Sequence, residues 1–140
     1  MLSDADLLAL AAYEASAMGV SMAACERIFA WLKLSDEVGQ LRVWSGGFAA
    51  WLRFEHHHLN LVKDLDFDAV AALPRLELTT GPVIYIGEVF AVRPGVRAFL
   101  HSLKHLPGVT HWAGHRDKGT RWKVQALQGV NDVSRSRTAA

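Results

Sequence analysis

The apolar positions of this chain recur at two spacings, and the change from one to the other marks its elements. Residues 4–18 carry apolar side chains at helical intervals, with Ser3 or Asp4 able to cap the start and Gly19 able to stop it. Ser21 opens a second helical pattern. There Ile28, Trp31 and Leu32 recur at i, i+3 and i+4, and Met22, Cys25 and Phe29 complete the band, which Asp36 to Gly39 ends. LRVWS and FAAWLRFE then flank Gly46-Gly47, which predicts a hairpin turning on those two glycines. From His56 to Thr80 the pattern is weak, and only a short helix at Phe67–Leu73, stopped by Pro74, is expected. Val83–Val92 has apolar residues on both faces, as a central strand requires. Val96, Phe99, Leu100 and Leu103 give the next helix one apolar stripe, closed by Pro107-Gly108. Residues 109–116 and 121–128 predict a last hairpin, and the tail from Asn131 is small and polar.

This order predicts an α+β fold: one domain over residues 1–130, with a flexible tail at 131–140. A mostly antiparallel sheet with one strand-helix-strand crossover follows two N-terminal helices, because only one such crossover is available. A chain of 140 residues, 51% of them apolar, can bury a core of its own. Net charge is only +1, but residues 1–92 hold 6 basic and 12 acidic groups, and residues 93–140 hold 9 and 2. An acidic front and a basic back point to an anionic ligand at the C-terminal half, or to a match between the halves. The single cysteine, Cys25, excludes an internal disulfide and reads as a small core residue. The start is acidic rather than basic, and no apolar run reaches the roughly 18 residues of a membrane span. A cytoplasmic protein is the simplest expectation.

Few residues could carry chemistry. Glu88 is a carboxylate in an apolar strand, where burial raises its pKa toward that of a general base at neutral pH. The structural alternative is an ion pair with Arg53 or Arg97. Gly87, just before it, fits a bulge or a close backbone approach. If Lys118-Gly119 is the last hairpin's turn, paired residue numbers sum to 237, so His111 and His115 share the hairpin's apolar face and Trp112 lies on the other. His115 is then either a hydrogen-bonded core residue or a proton shuttle beside Glu88. His56-His57-His58 lacks the ligand spacing of a zinc site and reads as a solvated strand end, so no metal is expected. Arg116, Lys118, Arg121 and Lys123, interleaved with Trp112 and Trp122, could meet nucleic acid, although no nucleic-acid motif is present and a solvated hairpin is the simpler reading.

VFAVRPG running into VRAFLHSL, within this order of elements, resembles the GNAT superfamily of N-acetyltransferases. The resemblance maps Val92-Arg93-Pro94 and then Gly95 to Leu100 onto the superfamily's strand end, pyrophosphate loop and helix. It implies acetyl-CoA or another acyl-CoA as cofactor and an amine as acceptor. Arg93, Gly95, Val96 and Arg97 would then meet the pyrophosphate, Val89 or Phe90 would offer a backbone N–H to the thioester, and Glu88 would act as base. The sequence is also similar to toxin-activating lysine acyltransferases and to small GNAT-like phage proteins. The loop here has one glycine where the superfamily has a longer glycine-rich run, and neither Tyr13 nor Tyr85 stands where its tyrosine acid does. The alternative expectation is therefore a non-catalytic GNAT-like protein with protein partners in an assembly such as a phage virion.

Overall fold

A computed structural model describes residues 2–45, 47–90, 94–116 and 121–127. The chain divides into two compact units, Met1–Leu52 with Ile86–Arg97, and Arg53–Tyr85 with Ala98–Ala140. The fold is α+β, with a five-stranded sheet in the order β1-β2-β3-β4-β5. These strands are β1 (Leu41–Trp44), β2 (Gly47–Phe54), β3 (Val83–Phe90), β4 (His111–Arg116) and β5 (Arg121–Ala126). The sheet is mixed: β1–β2 and β4–β5 are antiparallel, and β3–β4 are parallel across a helical crossover. The expected tail at 131–140 lies outside the described residues.

The first unit opens with helices α1 (Asp4–Met18) and α2 (Met22–Glu37). Ser3 caps α1 in a reciprocal box: its hydroxyl accepts from the Asp6 N–H at 3.1 Å, and Asp6 accepts from the Ser3 N–H at 3.3 Å. Gly19 ends α1 in the left-handed region at φ 65°, where a side chain would be strained. Ser21 caps α2 through the Ala24 N–H at 3.3 Å. The core of this unit gathers Leu7, Ala11 and Ala15 of α1, Cys25, Ile28 and Leu32 of α2, and Phe48 and Ala50 of β2. Phe90 of β3 packs against it, 6.0 Å from the Phe48 ring and edge-on to Tyr13 at 5.2 Å.

The hairpin turns one residue earlier than the two glycines suggest. Trp44 pairs with Gly47, so Gly47 already belongs to β2. Moving the turn by one residue slips the register by two, which leaves every side chain on its expected face. Gly47 and all the rest of β2 are buried, which fits a strand with neighbours on both sides.

In the second unit the weakly patterned stretch holds a 3-10 turn at His56–His58 and three short helices. These are α3 (Leu59–Lys63), α4 (Phe67–Ala71) and α5 (Arg75–Thr80). The expected helix before Pro74 is thus present but two residues shorter, and the triple histidine is a tight turn rather than a strand end. The first residues of β3 pair with β4 from Val83↔His111 to Tyr85↔Ala113. Helix α6 (Pro94–Leu103) makes the crossover, with Val96 and Leu103 of the expected stripe buried and Phe99 and Leu100 half-buried. The last hairpin has the predicted register, since His111 faces Ala126 and His115 faces Trp122. Its outer strand β5 is mostly exposed.

Candidate functional site

The first unit holds Glu88 and most of the residues singled out with it. Glu88 is half-buried in β3, and its partner is neither Arg53 nor Arg97 but Glu14 of α1, with which it shares a hydrogen bond. Burial, together with the charge of Glu14 and that hydrogen bond, pushes the Glu88 carboxyl up to about 8, while the Arg27 guanidinium pulls it the other way. Glu14 is only 3% exposed. Burial pushes its carboxyl up as well, against the opposing effect of the bond from Glu88. Two carboxyls so placed titrate as a pair, and their closeness opposes ionising both at once. The Oε2 atom of Glu14 is buried with no hydrogen-bond partner among the described residues.

Sequence reasoning missed Glu14, although a signal was there. Leu7, Ala11, Glu14 and Ala15 are the buried residues of α1, so a lone carboxylate sits on the apolar stripe at i+7 from Leu7. A charged residue on such a stripe needs a buried partner.

The other candidates are placed as follows. Gly87 and Val89 are half-buried within β3. Phe90 gives its ring to the core, so only its backbone could meet a ligand. Arg93 lies outside the described residues. Gly95, Val96 and Arg97 form the first turn of α6 after Pro94, where helical N–H groups have no partner within the helix. Val96 is 2% exposed, Arg97 is exposed, and a Cβ added at Gly95 would meet open space. That turn can offer backbone N–H groups to an anion beside an exposed guanidinium.

His115 belongs to the second unit, and both its ring nitrogens are engaged there. The Tyr85 hydroxyl lies 3.0 Å from Nδ1, and the Lys63 carbonyl accepts from Nε2–H at 2.9 Å. The carbonyl can only accept, which fixes the Nε2–H tautomer and leaves Nδ1 to accept from the tyrosine. Trp122 lies edge-on at 4.9 Å. This is the hydrogen-bonded reading of His115. Glu88 and His115 thus have separate partners in separate units.

The triple histidine is engaged as well. His58 Nδ1 lies 2.7 and 2.8 Å from the two carboxylate oxygens of Glu77, and His56 stacks edge-on against His111 at 4.6 Å. Burial, and after it His56, lowers the pKa of His111. No cluster of three or more metal-ligating side chains occurs among the described residues. In the basic hairpin, Trp112 pairs with Gln125 and Trp122 with His115, so the two tryptophans lie on opposite faces and cannot form one stacking platform. Lys118 and the Arg116 side chain lie outside the described residues. No helix among the described residues is long and apolar enough to cross a membrane.

No protein-family model, no curated protein and no solved structure matches this chain.

Proposed function

We propose that the protein is an acyl-CoA-dependent N-acyltransferase of GNAT-like build, with Glu88 as the general base. The observation that carries this reading is the Glu14–Glu88 carboxyl pair, whose Glu88 lies on the strand that leads toward α6. An attacking amine must lose a proton as its nitrogen bonds to the thioester carbonyl carbon. A carboxyl raised to about 8 is far better matched to that proton than an ordinary carboxylate. The C–S bond then breaks, and the CoA thiolate leaves and takes up a proton. The backbone N–H of Val89 or Phe90 would stabilise the oxyanion, and the N–H groups of Gly95, Val96 and Arg97 would receive the pyrophosphate. His115 has no step in this scheme, because its bonds to Tyr85 and Lys63 already satisfy it.

Titration of the full chain with acetyl-CoA by calorimetry tests the binding step, and thiol release in the presence of a primary amine tests the transfer. Saturable binding and amine-dependent thiol release are expected. The rate should climb as pH rises through about 8, because Glu88 then loses its proton and can act as base. Glu88→Gln should retain CoA binding and lose transfer by at least about a hundredfold. Absence of both heat and thermal shift with acetyl-CoA overturns the proposal.

A second reading is favoured by the single glycine of the turn at Gly95 and by the burial of the Glu14 carboxyl. In it the chain is a non-catalytic GNAT-like binding or structural protein, and the pair tunes the packing of α1 on β3.

A further inference from the structure

We propose that His101 and His105 form a two-imidazole site for a divalent transition ion of the zinc, nickel or copper class. The site is independent of the acyltransferase reading. His101 lies in the last turn of α6, and His105 follows two residues after the helix ends. The helical turn continues through that step: the Lys104 N–H bonds to the His101 carbonyl at 3.2 Å and the His105 N–H to that of Ser102 at 3.0 Å. Those bonds span three residues, so the turn is tighter than the helix, yet the two side chains still meet across it and both are exposed.

Their geometry fits a shared metal better than a mutual hydrogen bond. The two Nε2 atoms face each other at 3.4 Å, with ring centroids 5.0 Å apart and planes at 70°. A good N–H donor bond is shorter, about 2.7–3.2 Å. Two imidazole nitrogens on one tetrahedral zinc, each at about 2.0–2.1 Å, stand about 3.3–3.4 Å apart. The separation thus matches the bite of such an ion.

The neighbouring groups leave the pair clear. The Lys104 ammonium, which would repel a cation, lies over the Trp112 ring at 5.4 Å, and the Ser102 hydroxyl donates to the Phe99 carbonyl. No third ligating side chain joins the pair among the described residues. Water, a small anion or a side chain from another molecule would complete the coordination. Imidazole ligands select zinc, nickel and copper over magnesium and calcium, which prefer oxygen.

Calorimetric titration of the full chain with NiCl2, ZnCl2 and MgCl2 tests the site. One nickel or zinc ion per chain and no magnesium binding are expected. Acidification should release the ion, because only neutral imidazole coordinates. His101→Gln and His105→Gln should each weaken binding by at least about tenfold, with thermal melting unchanged in the absence of metal. His56→Gln combined with His57→Gln removes the other histidine cluster and should leave the affinity as it was. The proposal is overturned if nickel and zinc do not bind saturably. It is equally overturned if both single substitutions leave the affinity intact, or if the His56/His57 variant abolishes binding.

Discussion

Gly81 is the residue whose replacement should cost most for its size. A Cβ there would lie 2.5 Å from the Phe54 carbonyl carbon and 2.6 Å from the Phe54 nitrogen. Those are backbone atoms of β2 and cannot rotate away. Gly81→Ala should therefore destabilise the protein by at least about 2 kcal/mol, read as a lower urea midpoint at unchanged slope. Nothing local in the sequence around Gly81-Pro82 tells that another strand's backbone passes over it. Glu14 is the converse case. Its place on the stripe through Leu7, Ala11 and Ala15 was legible, but its partner lies 74 residues away in β3 and was not. Spacing gives the face of a residue, and only the tertiary fold gives what that face meets.

At the scale of elements, the local signals were the ones that held. Ser3 and Ser21 cap the first two helices through their hydroxyls, Gly19 ends the first in the left-handed region, and the last hairpin has the predicted register. The segment from His56 to Thr80 was unreadable because its helices are too short to show a period. What holds this segment is not periodic at all. Arg53, buried near the end of β2, donates from Nε to the Gly81 carbonyl at 2.7 Å and from Nη2 to those of Pro107 at 2.9 Å and Thr80 at 3.3 Å. One planar guanidinium thus ties β2 to the end of α5 and to the turn after α6, and burial lowers its pKa. Arg53→Met fills similar space but leaves three carbonyls without this donor. It should cost about 3 kcal/mol or more in chemical denaturation. Arg53→Lys should recover only part of that, because a point-like ammonium cannot reach three acceptors in a fixed fork.

At the scale of the whole molecule, charge looks different folded than it does along the chain. The contrast between residues 1–92 and 93–140 suggested an anionic ligand at the basic end. Because Ile86–Arg97 joins the first unit, the units carry five basic against seven acidic groups and ten against seven. The contrast is diluted, and the pH response falls to particular buried groups instead. Among the described residues the Glu14–Glu88 pair dominates that response. Glu88 has a folded pKa of about 8 against an ordinary value of 4.5, so between those limits the folded state binds more protons than the unfolded one. Stability then falls as pH rises. The pair's contribution is most favourable below 4.5 and is lost as pH climbs through about 8, where two adjacent carboxylates must both ionise. Glu88→Gln cannot ionise, and it keeps an N–H with which to donate to Glu14. The variant should melt close to the parent at pH 4.5 and several degrees above it at pH 9, a gap on the order of a few kcal/mol. Melting curves of both proteins across that range check the sign directly. A gap that stays constant with pH would mean that Glu88 does not hold its proton in the folded protein, and the base assigned to the transfer reaction would lose its physical basis.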